Sequence, residues 1–166
     1  MKFFYYQCLF LYSIIKIFNF RNIDKLILID FDFTLVKYDF TLSNKIDISK
    51  AILNKTVIQS CDYYKSFGFV PALFTARGLC SQKEVTTFLD KHSIKFNQYI
   101  FLGNTKNKFR FLKFLMKYTS LKIILIDDLS DYVERDNTFV VYEVDEALFS
   151  YNERFKYLHP NTYENS

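Results

Sequence analysis

The stretch LILIDFDFTLV, Leu26 to Val36, ends an unbroken apolar run in two aspartates one residue apart. A parallel strand buried on both faces reads as such a run, whereas a buried carboxylate is costly unless something pairs with it. The stretch therefore predicts a central strand that delivers Asp30 and Asp32 to the edge of a sheet. Continued extension would turn both side chains to the same side of the pleat. The chain is expected to leave strand geometry at or just after Asp30, with Asp32 on the turn that follows.

Outward from this stretch, short apolar runs alternate with amphipathic segments. Strands are expected over residues 25–31, 69–74, 98–102, 121–126 and 138–142, and helices over 46–67, 81–92 and 106–118. That alternation argues for βαβ units and a parallel sheet. Ser81 and Glu84 have the spacing of a capping box at a helix start. Pro71 lacks a ladder donor, so its strand is expected to begin at or just after it. The chain divides into an apolar N-terminal segment (1–22), one catalytic domain (23–150) and a charged, frayed or loosely docked tail (151–166).

With 166 residues, the chain has the length of a single domain. Half of the residues are apolar, a fifth are aromatic, and three Gly and two Pro occur, which excludes disordered and fibrous classes. A net charge of +4 permits an anionic partner without demanding one. Cys8, Cys61 and Cys80 are widely spaced and form no C-x-x-C pair; they suit buried thiols in a reducing cytoplasm. The uncharged run 3–15 is shorter than the about 20 residues that a spanning helix needs. A helix packed on the domain is the favoured reading of this run, ahead of a signal or membrane-surface anchor and of a partner interface.

Three expected strands end in polar chemistry: Asp30-Phe-Asp32-Phe-Thr34, Thr75-Ala-Arg77-Gly78 and Asp127-Asp128-Leu-Ser-Asp131. Parallel strands would gather these ends at one edge, where open α/β sheets bind ligands. Clustered carboxylates repel one another unless a cation sits between them, and an oxygen-only set favours a hard ion, here Mg²⁺.

In this order the signatures resemble those of the haloacid dehalogenase superfamily of phosphatases and phosphotransferases. The match runs over residues 25–142: D-x-D-x-T at Asp30, Asp32 and Thr34, the strand-ending Thr75, and the acidic pair Asp127 and Asp128. The resemblance implies a three-layer α/β/α Rossmann-like fold with a central, mostly parallel sheet of about five strands. It implies that Asp30 attacks phosphorus, that Asp32 shuttles the proton, and that Thr75 and a lysine stabilise the transferring group. Mg²⁺ would be held by Asp30, Asp127, Asp128 and the backbone carbonyl of Asp32, with Asp131 in an outer position. Among the candidate lysines, helical periodicity puts Lys108 on the apolar face of Phe111, Leu112 and Leu115, with Lys106 the second choice. Thr34, Arg77 and Lys106 are candidates for substrate contact, with pairing to an acidic neighbour an equal alternative for Arg77. Lys106, Arg110, Lys113 and Lys117 form a basic stripe, read first as a solvated face and second as a guide for a nucleic-acid backbone.

Neither gap between signatures has room for a separate cap domain, which suits a large substrate. The function implied is a Mg²⁺-dependent phosphomonoesterase in the cytoplasm, acting on a phosphorylated small molecule or a nucleic-acid end. No stable nucleic-acid complex is implied, and membrane contact through 3–15 is not favoured. The alternative is a catalytically silent module of this fold that binds a phosphorylated partner.

Overall fold

In the computed structural model, which describes residues 11–13, 23–39, 46–128 and 153–161, the apolar run after Lys25 is the middle strand of a five-stranded parallel sheet. The strands are β1 (Lys25–Ile29), β4 (Val70–Thr75), β5 (Gln98–Phe101), β6 (Lys122–Ile126) and β7 (Phe155–Leu158), in the order β5-β4-β1-β6-β7. A small antiparallel hairpin of β2 (Val36–Lys37) and β3 (Ile52–Leu53) stands apart from the sheet. The helices are α1 (Lys55–Ser66), α2 (Gln82–Lys91) and α3 (Thr105–Tyr118).

Alternation along β1 builds the layers. Ile27 and Ile29 pack in a core with Val57, Tyr64, Val85, Phe88 and Leu89 of α1 and α2. Leu26 and Leu28 pack in a second core with Phe74 and with Phe109, Phe111, Leu112 and Leu115 of α3. Helices thus cover both faces, which is why β1 carries only apolar residues between Lys25 and Asp30. The chain steps from β1 to β4 and β5, then returns past β1 to β6, so the order reverses beside β1. Such a switch point opens a crevice at the carboxyl ends of the strands, and the Asp30 N–H donates to the Ile126 carbonyl there at 3.0 Å.

Several expectations need correction. The helix expected over 46–67 begins only at Lys55; residues 46–54 instead form a 3₁₀ turn, Ile48–Lys50, and then β3. Asp47 starts that turn by accepting from the Ser49 N–H at 3.0 Å, a local bond that competes with an α-helical start. Ser81 makes no side-chain cap, because it closes the 3₁₀ turn Leu79–Ser81 through which the chain enters α2. β4 starts one residue before Pro71, whose carbonyl accepts from the Asn97 N–H at 3.0 Å, while the ladder with β5 begins at Ala72. The missing donor therefore falls outside that ladder.

The largest correction concerns the tail. Phe155–Leu158 is the edge strand β7, parallel to β6 in the register Ile123↔Phe155 to Ile126↔Leu158. Arg154 donates to the carbonyls of Thr119 (2.6 Å) and Met116 (3.1 Å), satisfying acceptors left at the end of α3. Asn54 and Lys37 reach the chain just after β7, at the Pro160 carbonyl (3.2 Å) and Asn161 Oδ1 (3.0 Å). Asp131, the strand expected over 138–142 and, apart from 11–13, the N-terminal segment lie outside the described residues. Among the described residues, no helix is long and apolar enough to cross a membrane.

Candidate active site

β1 ends at Ile29, and the next residues form a turn closed by Leu35 N–H to Asp30 O (3.2 Å) and Val36 N–H to Phe31 O (3.0 Å). Asp30 faces the crevice from the strand end, and Asp32 occupies the turn. Phe33 adopts φ +58°, a left-handed conformation that costs an L residue about 1–2 kcal/mol. Its ring packs edge-on against Tyr38 at 5.4 Å between centroids.

α3 brings the ammonium. Asn104 caps the helix by accepting from the Asn107 N–H at 2.8 Å, and the Asn107 amide donates to the Leu102 carbonyl at 3.0 Å. One turn into the helix so fixed, Lys108 runs inward past the Phe74 ring, its Nζ 5.4 Å from the centroid. Nζ lies 2.7 Å from Asp30 Oδ1 and 2.5 Å from Asp127 Oδ2, and Lys108 is only 3% exposed. Lys108 and Asp127 thus meet as a close, fully buried ion pair. Lys106, by contrast, is exposed.

Asp127 and Asp128 follow β6. Together with Asp30 they form a buried group whose ligand oxygens all lie within 4.8 Å of one another. Burial pushes the Asp30 carboxyl up to about 7, against the pull of Lys108 and with a further push from Asp127. Burial likewise raises Asp127 and Asp128 to about 6 each, Lys108 opposing the rise at both. For Lys108, burial alone would lower the pKa, but Asp127 and Asp30 outweigh it and hold the ammonium above its ordinary value. Three carboxylates against one ammonium leave two negative charges uncompensated when all are ionised. A divalent cation would balance them, and the all-oxygen donor set suits Mg²⁺.

Asp32 stands apart from this group. Arg77 grips it through Nε to Oδ2 and Nη2 to Oδ1, both at 2.7 Å, and the Tyr38 hydroxyl donates to Oδ1 at 2.5 Å. Arg77 Nη2 also reaches the Tyr38 oxygen at 3.3 Å, closing a three-residue clamp. Arg77 lies over the Phe31 ring at 5.6 Å. Burial pushes the Tyr38 phenol up, reinforced by its hydrogen bond to Asp32. Sequence reasoning missed Tyr38, since nothing in a D-x-D-x-T signature points to a tyrosine four residues beyond it.

Thr75, fully buried at the end of β4, accepts from the Arg77 N–H at 3.1 Å, which leaves its own hydroxyl hydrogen for another acceptor. Thr34 is also fully buried and aims its hydroxyl at Asp128 Oδ1, a long contact of 3.5 Å. The fold thus brings Asp30, Thr34, Lys108, Asp127 and Asp128 together, with Asp32, Thr75 and Arg77 beside them, and leaves Lys106 outside.

The sequence matches no family model and no curated protein. Among solved structures, a chain of the Pnkp1/Rnl/Hen1 complex superposes with a TM-score of 0.57 at 16% identity, over 87% of this chain and 48% of the other. A chain from a structure of the Pnkp1/Rnl/Hen1 RNA repair complex gives 0.56 at 18% identity, over 82% of this chain and 42% of the other. At such identities the likeness is one of fold. The protein spans less than half the length of these neighbours.

Proposed function

We propose that this chain is a Mg²⁺-dependent phosphomonoesterase of the haloacid dehalogenase type, acting on the phosphate at a polynucleotide end. The observation that carries the reading is the buried ammonium of Lys108 between Asp30 and Asp127, with Asp128 completing an oxygen-only site at the switch point of the sheet. The RNA-repair setting of the structural neighbours supports the choice of substrate class.

When bound, Mg²⁺ would screen the charge of the Asp30 carboxylate from that of the phosphate. An Asp30 oxygen then attacks phosphorus, and the bond to the leaving oxygen breaks as Asp32 gives that oxygen a proton. Water next attacks the aspartyl-phosphate and gives its proton back to Asp32, which releases orthophosphate and regenerates Asp30. Lys108 neutralises charge on Asp30 and on the transferring group, and the Thr75 hydroxyl donates to a phosphoryl oxygen. Arg77 and Tyr38 orient the Asp32 carboxylate that takes up the proton.

The test is hydrolysis of an aryl phosphate and of 3′- and 5′-phosphorylated oligonucleotides, with Mg²⁺ and with EDTA, by wild type and Asp30→Asn. Turnover that stops with EDTA and with the substitution is expected. Robust turnover by Asp30→Asn would sink the covalent route. Oligonucleotide binding without turnover on any substrate would favour the silent binding module instead.

A further inference from the structure

We infer that the outer face of α3 is a track for a single-stranded nucleic-acid backbone whose terminal phosphate lies at Asp30. From Lys91 to Ile126 the chain has no Asp or Glu but eight Lys and Arg, in a protein whose net charge is only +4. The rest of the chain is therefore formally acidic, and the basic charge is concentrated in the end of α2, the loop that follows it, α3 and the start of β6.

The fold turns much of this charge one way. Phe111, Leu112 and Leu115 commit one side of α3 to the sheet, so Lys106, Arg110 and Lys117 are exposed on the other, with Lys113 half-buried among them. Among the described residues, no carboxylate lies within ion-pair distance of Lys106, Arg110 or Lys117. Lys50 and Lys65, elsewhere on the surface, each pair with an acid three residues away. A merely solvated face mixes both signs. This one sets like charges four residues apart at Lys106 and Arg110, which destabilises a helix; a polyanion offsets that repulsion.

Position links the face to the site. The first turn of α3 sends Lys108 to Asp30 and Asp127, while Lys106 stands exposed one residue from Asn107, so the basic ridge starts at the rim of the acidic crevice. At 1.5 Å per residue it extends roughly 16 Å from Lys106 to Lys117, well beyond the reach of a mononucleotide. Cations on a ridge meet phosphates rather than base edges, so binding should not depend on sequence. The inference takes the identity of the end group from the phosphatase reading, but the ridge is testable without turnover.

The experiment is fluorescence anisotropy of a labelled 3′-phosphorylated ten-nucleotide RNA with the full chain in EDTA, at several salt concentrations. The triple variant Arg110→Gln, Lys113→Gln, Lys117→Gln should bind about a hundredfold more weakly at 0.1 M salt, and its log–log salt slope should be shallower by about 2. A charge-matched triple, Lys50→Gln, Lys55→Gln, Lys65→Gln, should change neither. Arg110→Gln alone, with a slope change of about 0.7, serves should the triple fail to fold. Equal effects of the two triples, or no salt-dependent binding by wild type, would overturn the inference. So would phosphatidylserine vesicles that bind as tightly as the RNA and are lost in the same triple, which would assign the face to a lipid surface. Aryl phosphate hydrolysis measured in parallel separates the two readings: its absence with ridge-dependent RNA binding removes the phosphatase alone, and the converse removes the ridge alone.

Discussion

Replacing Asp30 with Asn should remove the proposed nucleophile and yet make the metal-free protein more stable at pH 8. Burial holds the Asp30 carboxyl near 7, well above its ordinary 3.8, and a gap of that size corresponds to about 4 kcal/mol for keeping it ionised in the fold. Asn has nearly the same shape and carries no charge. That figure already sets the pull of Lys108 against the push of Asp127, and a buried amide left with imperfect partners costs about 1–3 kcal/mol, so about 2 kcal/mol should appear as net gain. In a domain of this size that raises Tm by about 4–8 °C. The sign follows from proton binding. Because the folded pKa is raised, the folded state binds more protons than the unfolded one, and the stability linked to Asp30 is full below about 3.8 and lost as pH rises through about 7. The advantage of the variant should therefore fall below about 1 kcal/mol at pH 5. Millimolar Mg²⁺ at pH 8 should also narrow it, by stabilising the ionised cluster of the wild type. Thermal and urea unfolding at pH 5 and pH 8, in EDTA and in Mg²⁺, measure all of this. A variant less stable than wild type at pH 8 in EDTA, or a gap indifferent to pH, would refute the reasoning.

Tyr38→Phe keeps the ring against Phe33 but removes the hydroxyl that holds Asp32, so turnover of alkyl phosphates, which need a proton on the leaving oxygen, should fall about tenfold while aryl phosphates change little. Equal losses on both substrates would count against a positioning role. Ser93 sits just past the end of α2 at φ +58°, with its N–H bonded to the Asp90 carbonyl, so Ser93→Gly should relieve left-handed strain and add about 1 kcal/mol, read as a higher urea midpoint. Deleting residues 153–166 removes β7 and the Arg154 contacts at the end of α3. Cooperative unfolding by circular dichroism should be lost, and a truncated protein melting within a few degrees of the full chain would mean that β7 does not hold the sheet edge.

The elements legible in the sequence are those whose position is set by burial. β1 shows as an apolar run because helices cover both its faces, and Lys108 separates from Lys106 because the inward side of α3 is apolar for three turns. β7 was illegible for the opposite reason: in FKYL only Leu158 is fully buried, Phe155 and Tyr157 are half-buried against the second core, and much of what holds the strand is backbone pairing with β6 that no side-chain pattern reports. Residues 46–54 misled the helical reading because a local bond from Ser49 to Asp47 decides their course. The site divides along the same line. Asp30, Thr75, Asp127 and Asp128 sit at or just beyond the ends of β1, β4 and β6, so reading the strands finds them. The clamp on Asp32 joins positions 45 apart, for Arg77 with Asp32, and 39 apart, for Arg77 with Tyr38, and those meetings depend on how the loops after β1 and β4 bend. Strand ends therefore disclose which residues gather, while the orientation of the proposed proton carrier belongs to the loops. This is why the residue most in need of orientation, Asp32, is the one whose partners only the fold reveals.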